Sequence, residues 1–264
     1  MILRGHVFSR KLEMETGISV VGPNDFGTGK PYRVAYLLHG LCGRSGDWGD
    51  YSMLPVYAQG GDTLFIMPEV ARSFYADQKY GQSYFGYIVD ELPEICRSLF
   101  NIRADREGTA IIGASMGGYG ALKAALSRPG QYGFACAFSS PCLFLNEYLG
   151  VQNRAGSAEG LEAELGGQLA RDFRAAFGEP FELSPGNDIL GLARGLEGRA
   201  PKPSVYVACG KADPFQAENR RFAEEMQALD FRFSYEEWEG KHDFRFFDEA
   251  LRRAIEFIGG PGQA

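Results

Sequence analysis

Histidine is scarce in this chain, and its cysteines lack the paired spacings that metal and redox sites use. The 264 residues include three histidines, His6, His39 and His242, and five scattered cysteines. No His-x-x-x-His or Cys-x-x-Cys pair occurs, so the sequence predicts no metal site. Because the cysteines are odd in number and unpaired in pattern, we expect reduced thiols and a cytoplasmic location.

Long apolar runs, blocks of like charge and nucleotide-binding motifs are also missing. No stretch reaches transmembrane length, and the first residues contain no apolar signal core. A net charge of −7 argues against a nucleic-acid or anionic membrane surface as partner. The Gly29-Lys30 pair is followed by Pro31 instead of Ser or Thr, and no dinucleotide fingerprint follows a strand. We therefore expect no cofactor, no nucleic acid and no membrane partner.

What the chain does contain is an alternation of strand and helix patterns. An N-terminal hairpin is predicted, with strands at 7–14 and 18–21 around a turn at 15–17. Further strands are predicted from apolar or alternating runs at 34–38, 63–67, 110–112, 134–138, 205–209 and 231–235. Helices are predicted from apolar spacing at 84–100, where Pro93 marks a kink or the true start, and at 116–126, 222–229 and 247–258. This order predicts an α/β fold in which a mostly parallel sheet carries helices on both faces.

One segment departs from this alternation. Residues 142–199 are rich in Gly, Ala and Glu and contain two weakly amphipathic pieces, at 158–177 and 188–196. We interpret about 143–199 as an insertion between core strands of a single domain spanning 1–264. The pattern leaves open whether this insertion is a lid or a set of ordinary helices packed at the edge of the sheet.

The most informative stretch is Gly113-Ala-Ser115-Met-Gly117, a G-x-S-x-G motif between a predicted strand and a predicted helix. This context is that of a nucleophile elbow, a strained turn that points a serine hydroxyl away from the backbone. Glycine at both ends allows the strand and the helix to approach each other closely. We therefore predict that Ser115 is a nucleophile.

A serine hydroxyl needs a base, and the base needs an acid that orients it. In hydrolases of this topology the chain order is Ser, acid, His, which among the three histidines only His242 fits. Asp213 follows the predicted strand 205–209 and is our choice for the acid. Asp188 is better explained as a helix N-cap, and Asp243 is too close in sequence to His242.

A hydrolase of this kind also needs two N–H groups that stabilise an oxyanion. One belongs to the residue after the nucleophile, Met116, and the other to the loop after an early strand, where Leu41 is our choice. We expect His39 to orient this loop through a side-chain hydrogen bond. Cys42 lies beside the predicted site, and we expect it to be buried rather than reactive.

Several segments together resemble the esterase D-like branch of the α/β-hydrolases, and most closely the tributyrin esterase type. They are Leu37-Leu38-His39-Gly40, Asp90-Glu91-Leu92-Pro93, Gly113-Ala-Ser-Met-Gly-Gly-Tyr-Gly-Ala-Leu122, Cys209-Gly-Lys-Ala-Asp213 and Gly240-Lys-His-Asp243. They are spread over most of the chain and occur in the right order. The chain departs from the pattern at Phe244, where the family often has tryptophan, and the 142–199 segment matches only loosely.

The resemblance implies an α/β-hydrolase fold and a serine carboxylesterase of short acyl esters that needs no cofactor. It carries over Ser115, Asp213 and His242 as triad, and Leu41 and Met116 as oxyanion donors. S-formylglutathione hydrolases and feruloyl or acetyl-xylan esterases are relatives, so these activities are the alternatives. A non-catalytic binding protein on the same scaffold is the rival of another class. The oligomeric state stays open.

Aromatic residues in the loops near the predicted strand ends suggest how short esters would be selected. Ligands bind at the carboxyl ends of the strands in an open parallel sheet. Bulky rings there would fill an acyl pocket, and we predict Trp48 and Tyr75 as substrate-binding residues. The same loops contain Phe74, Tyr80, Tyr84 and Phe85.

Overall fold

A computed structural model of the protein describes residues 1–25, 29–155 and 158–259; the predicted single domain, 1–264, therefore extends beyond the described residues. Eight strands of the described chain form one sheet. They are β1 (Ile2–Ser9), β2 (Met14–Val21), β3 (Arg33–Leu38), β4 (Thr63–Pro68), β5 (Thr109–Ala114), β6 (Phe134–Phe138), β7 (Ser204–Gly210) and β8 (Phe233–Trp238). Their order in the sheet is β1-β2-β4-β3-β5-β6-β7-β8. The pairs β1–β2 and β2–β4 are antiparallel and the other pairs are parallel, as predicted.

Helices lie on both faces of this sheet. They are α1 (Asp47–Tyr51), α2 (Leu54–Tyr57), α3 (Tyr84–Gly86), α4 (Leu92–Leu99), α5 (Met116–Ser127), α6 (Leu145–Ala155), α7 (Ala158–Leu165), α8 (Gly167–Phe177), α9 (Ile189–Arg194), α10 (Gln216–Gln227) and α11 (Phe244–Gly259). A π-helical turn, Tyr87–Glu91, joins α3 to α4, and Pro93 lies in the first turn of α4, where its missing N–H is tolerated. No helix in the described ranges is long and apolar enough to cross a membrane.

Alternate residues of the central strands pack into two separate cores. In β3, Val34, Tyr36 and Leu38 face the core beneath α4, α5 and α10, whereas Ala35 and Leu37 face the core beneath α1, α2 and α11. Because both faces are covered, these strands are continuous apolar runs without polar alternation. This double burial is why the strand positions could be predicted from the sequence.

The N-terminal hairpin exists, but its turn was predicted in the wrong place. The chain reverses at residues 10–13, between β1 and β2, and not at 15–17. The Glu91 carboxylate holds the turn by accepting hydrogen bonds from the N–H groups of Arg10 and Lys11 at 2.7 and 3.2 Å. Gly17 lies inside β2, where an added Cβ would stand 2.9 Å from Ser45 Oγ. The glycine therefore serves a close approach between segments and not a turn.

Candidate functional site

Ser115 occupies a sharp turn between β5 and α5, as the elbow motif predicts. Its φ and ψ are 57° and −128°, a strained conformation for a residue other than glycine. The glycines at either side permit this turn. A Cβ on Gly113 would stand 2.1 Å from the Gly117 carbonyl oxygen, and a Cβ on Gly117 would stand 2.3 Å from that of Leu38. Any side chain at either position would force strand and helix apart.

The structure brings Ser115, His242 and Asp213 together in one hydrogen-bonded chain. His242 Nε2 lies 2.9 Å from Ser115 Oγ, and His242 Nδ1 lies 2.9 Å from Asp213 Oδ2. An ionised carboxylate can only accept, so the Nδ1–H group donates to Asp213 and Nε2 is left to accept from the serine hydroxyl. This is the tautomer that a general base for Ser115 requires.

Asp213 is held in its ionised form. Burial alone would favour the neutral acid, but hydrogen bonds from His242, from the Phe215 N–H and from Ser139 outweigh it, so the pKa of this carboxyl lies below its usual value. The Phe215 N–H donates to Oδ1 at 2.9 Å, which leaves Oδ2 directed at the imidazole. The site therefore keeps a negative charge beside His242, where it can stabilise an imidazolium.

Both competing acids serve as helix caps. Asp188 Oδ1 accepts the Gly191 N–H at 2.9 Å and caps α9, as the sequence indicated. Asp243 Oδ1 accepts the N–H groups of Arg245 and Phe246 at the start of α11. Their carboxylates are thus engaged in local hydrogen bonds, and Asp213 is the carboxylate paired with His242.

Two phenylalanine rings support the imidazole of His242 edge-on. The ring centroids of Phe215 and Phe247 lie 5.3 and 5.2 Å from that of His242, at interplanar angles of 73° and 90°. Phe244, the position at which the chain departs from the family pattern, packs against Trp48 and Phe247 instead. The aromatic packing therefore fixes the orientation of the His242 ring from two sides.

The residues predicted as oxyanion donors both line the cavity beside Ser115. Met116 is the first residue of α5, so its N–H has no acceptor within the helix. The Gly40 carbonyl oxygen accepts from the Gly43 N–H at 3.0 Å and is 2.7 Å from His39 Nδ1. The Leu41 N–H belongs to the same planar trans peptide as the Gly40 carbonyl, so it points in the direction opposite to that carbonyl. Gly40 itself approaches Ser115, because its ideal Cβ would lie 3.4 Å from that of the serine.

His39 orients this loop, in agreement with the prediction. It is 2% exposed, and its Nδ1 donates to the Gly40 carbonyl oxygen at 2.7 Å, because a carbonyl oxygen can only accept. Its Nε2 lies 3.1 Å from the Val70 nitrogen and 3.2 Å from Glu69 Oε1. The Tyr75 hydroxyl donates to the His39 carbonyl at 2.9 Å. The loop is thus held by hydrogen bonds on both sides. Cys42, which was expected to be buried, is exposed.

Trp48 and Tyr75 do not line the cavity, contrary to the prediction that they bind substrate. Each is 1% exposed. The Trp48 indole N–H donates to the Leu38 carbonyl at 3.1 Å, and the ring packs against Phe138. The Tyr75 ring lies against Gly120, where a Cβ would come within 2.4 Å of it. Both residues belong to the packing that supports the site.

The cavity beside Ser115 measures about 670 Å³, and much of its wall comes from the 142–199 segment. The lining residues from this segment are Cys142, Phe144, Leu145, Glu147, Tyr148, Val151, Leu165, Leu169 and Phe173. Four of them, Leu145, Glu147, Tyr148 and Val151, lie on α6, a helix that the sequence analysis missed. The spacing of Leu145, Leu149 and Tyr148 could have revealed it, because residues three and four apart share one helix face.

Charged side chains lie at one end of this otherwise apolar cavity. Arg221 lies 3.6 Å above the centre of the Phe144 ring and pairs with Glu147 at 2.8 Å. Glu218 accepts the Leu143 N–H at 2.8 Å, and burial nevertheless raises the pKa of Glu218. Two carboxyl groups and one guanidinium therefore line this part of the cavity.

The chain is similar in sequence to known proteins along nearly its whole length. The profile of a family described as putative esterase matches residues 9–258. An acetyl esterase of Caldicellulosiruptor saccharolyticus is 29% identical over 272 residues, which cover 97% of each chain. An esterase of Mycobacterium tuberculosis is 27% identical over 247 residues, and these cover 87% of this chain but 53% of that protein.

Solved structures agree with this similarity. The fluorophosphonate-binding serine hydrolase F of Staphylococcus aureus has a TM-score of 0.82 at 25% identity, covering 98% of both chains. An S-formylglutathione hydrolase of the same organism has a TM-score of 0.81 at 25% identity, covering 98% of this chain and 99% of that one. The sheet and the helices around it are therefore those of an α/β-hydrolase.

Proposed function

The chain belongs to the putative esterase family, and on that premise we propose that it hydrolyses short-chain acyl esters with Ser115, His242 and Asp213 as its triad. It is a serine esterase, that is, a carboxylic ester hydrolase. The observation that carries the residue assignment is the unbroken hydrogen-bond chain from Ser115 Oγ through His242 to Asp213. The finer affiliation, to the tributyrin type of the esterase D-like branch, remains part of the proposal.

In the proposed acylation step, Ser115 Oγ attacks the ester carbonyl carbon while His242 Nε2 takes the hydroxyl proton. The negative charge then develops on the carbonyl oxygen, where the N–H groups of Met116 and Leu41 stabilise it. Asp213 stabilises the imidazolium that forms. Collapse of the tetrahedral intermediate breaks the bond to the alcohol oxygen, which leaves with the proton from His242.

Deacylation repeats the same steps with water. His242, neutral again, takes a proton from a water molecule that attacks the acyl-enzyme carbonyl. The second tetrahedral intermediate collapses, the proton returns to Ser115 Oγ, and the carboxylic acid is released. In every proton transfer of this cycle, a side chain of the protein donates or accepts the proton.

Sequence similarity supports the preference for short acyl groups, whereas the aromatic residues first chosen do not. The relative that covers 97% of this chain is an acetyl esterase. Trp48 and Tyr75 lie in the core and cannot limit the length of a bound acyl chain. We assign that role instead to Phe74 and Phe173, whose rings lie 4.8 Å apart on the cavity wall. The remaining space would hold the alcohol part of the ester.

A series of p-nitrophenyl esters from acetate to palmitate tests the acyl preference. We expect kcat/KM to be highest from acetate to butyrate and then to fall, because overpacking a filled pocket costs about 1–3 kcal/mol. An open pocket would instead add about 0.8 kcal/mol of binding per methylene. Ser115→Ala measures the background hydrolysis of each ester. A maximum at octanoate or beyond would contradict the proposal.

S-formylglutathione is the second candidate substrate, because a solved hydrolase of that thioester shares the fold at 25% identity. Glutathione carries two carboxylates and would need a basic surface. The charged end of the cavity instead combines Glu147 and Glu218 with Arg221, which already pairs with Glu147. We therefore favour simple esters, and a higher kcat/KM for S-formylglutathione than for p-nitrophenyl acetate would reverse this choice.

Activity should rise with pH through one ionisation in the range where histidine side chains titrate, roughly pH 5 to 8. His242 must be neutral to accept the Ser115 proton, so protonation removes the base. The pKa of Asp213 is lowered, so this carboxylate stays ionised as the pH falls and does not cause the loss. The measurement is kcat/KM against pH, with circular dichroism confirming the fold at each pH. A flat profile from about pH 5 to 8 would contradict a histidine base of ordinary basicity.

We propose further that the insertion, about 143–199, belongs to the same domain and forms a wall of the site. Asp172 on α8 pairs with Arg72 at 2.7 Å, and Asn187 accepts a hydrogen bond from the buried Lys123 at 2.9 Å. Both contacts join the insertion to the rest of the chain. They support a wall that is continuous with the core.

A cytoplasmic location remains a proposal as well. All five cysteines are free, and three of them, Cys96, Cys136 and Cys209, are buried. Burial raises the pKa of the Cys96 thiol to about 12, so it stays protonated. Free thiols of this kind are common in reducing compartments. Measuring the distribution of the protein between cytoplasmic and exported fractions would test it.

A further inference from the structure

β1 is an edge strand with apolar side chains exposed on both of its faces. Ile2 and Phe8 are 51% and 62% exposed on one face, and Leu3 is 46% exposed on the other. The strand pairs with β2 on one side only, in a continuous register from Ile2 opposite Val21 to Ser9 opposite Met14. Long apolar edges attract other strands, and proteins usually protect them with charges or bulges.

The opposite edge of the sheet shows such protection. β8 carries Glu236 and Glu237 on successive positions, so the charges lie on both of its faces. These carboxylates pair with Arg253 and Arg220 at 2.9 and 2.6 Å. β1 carries one charged side chain, Arg4, among exposed apolar residues, and this contrast between the two edges indicates that β1 is adapted to a partner.

The direction of the β1 main-chain groups follows from its pairing with β2. Met1 and Gly22 exchange both of their main-chain hydrogen bonds, at 2.8 and 3.0 Å. Hydrogen-bonded pairs alternate along an antiparallel ladder, so odd-numbered residues of β1 bond to β2. The N–H and C=O groups of Ile2, Arg4, His6 and Phe8 therefore point away from the sheet.

These outward groups can pair with those of a second copy of β1 in one favourable register. A two-fold axis perpendicular to the sheet keeps each side chain on the same face of the sheet. Two residues that lie opposite each other must therefore both have even numbers or both have odd numbers. With the axis at Gly5, Ile2 lies opposite Phe8 and Leu3 opposite Val7, which are apolar pairs on both faces.

Charge selects this register over its neighbours. Moving the axis to Arg4 would place two arginine side chains directly opposite each other, and like charges in that position are destabilising. Moving it to His6 would oppose two histidines and would pair Phe8 with Arg4. In the register about Gly5, Arg4 lies opposite His6 instead, and Arg4 keeps its ion pair with Asp50.

We propose that the protein forms a homodimer in which the β1 strands of two copies pair antiparallel about Gly5. The eight-stranded sheets then continue into each other. The hydrogen-bonded pairs are then Ile2 with Phe8 and Arg4 with His6. Gly5 lies opposite Gly5 of the second copy in a non-hydrogen-bonded pair. Such a two-fold contact uses the same patch on both copies, so it closes without leaving a free β1 strand.

Engineered cysteines test the register. Cα atoms in a non-hydrogen-bonded pair lie about 4.5 Å apart, within the range that a disulfide can span. An added Cβ at Gly5 meets no atom within 4 Å. In a Cys42→Ser background, we expect Gly5→Cys to form a disulfide-linked dimer under mild oxidation. The matched control is Leu99→Cys, at a residue that is 57% exposed on α4, and it should form no disulfide-linked dimer.

Charge substitution tests the interface itself. Light scattering of the untagged protein after size-exclusion chromatography should give a mass twice the 29.0 kDa of one chain. Ile2→Lys combined with Phe8→Lys should return it to a single chain with unchanged kcat/KM. Val56→Lys, at a residue 57% exposed on α2, should remain dimeric. A monomeric wild type, a dimer that survives both lysines, or equal cross-linking of the two cysteine variants would overturn the proposal.

Discussion

Replacing Ser115 or His242 by alanine should lower kcat on short esters by roughly four or more orders of magnitude. Ser115→Ala removes the attacking oxygen, and His242→Ala removes the group that lies 2.9 Å from it and takes its proton. Because the two side chains act as one unit, the double variant should lose about as much activity as either single variant.

Active-site titration separates a catalytic loss from a folding loss. The wild type should react with a fluorophosphonate probe in a one-to-one ratio, and Ser115→Ala should not react at all. Thermal unfolding of both variants should stay cooperative, since Ser115 lines the cavity and the His242 side chain is partly exposed. Residual labelling of folded Ser115→Ala would identify a different nucleophile and contradict the assignment.

Asp213→Asn should lower kcat by roughly 10³ to 10⁴. The amide cannot carry the charge that stabilises the imidazolium, and its NH₂ group can donate to His242 Nδ1. That hydrogen bond favours the tautomer with the proton on Nε2, which cannot accept from Ser115. The Phe215 N–H still has an oxygen to bond, so the loop should keep its conformation.

Two matched controls are available for this change, because the competing acids are N-caps. Asp188→Asn and Asp243→Asn preserve a good capping residue and should leave kcat close to that of the wild type. If folded Asp213→Asn keeps near-normal kcat while Asp188→Asn or Asp243→Asn loses it, the acid has been assigned to the wrong residue.

The elements that could be predicted were those that residues close together in the sequence determine. A strand buried on both faces requires an unbroken apolar run, so β3 to β7 could be recognised from their residues alone. The elbow is equally local, because Gly113 and Gly117 contact each other across a single turn. The scarcity of histidine and the order of elements along the chain then directed attention to His242.

The errors arose where the cause lies far away in the sequence. The hairpin turn is held by Glu91, about 80 residues away, so its position could not be read from residues 10–17 alone. Trp48 and Tyr75 were expected in the pocket because they lie in loops near the strand ends. The direction in which a loop side chain points depends on packing against other elements, which here turns both rings into the core.

The sequence by itself determined the fold class, the elbow and the three residue types of the proposed triad, because periodicity and short motifs encode burial and turns. Tertiary structure alone decided how Ser115, Asp213 and His242 meet, since residues up to 127 positions apart approach to 2.9 Å only when neighbouring parallel strands align their ends. It also decided the shape of the cavity. Much of its wall is built by α6 to α8, and where their apolar faces pack depends on the rest of the chain.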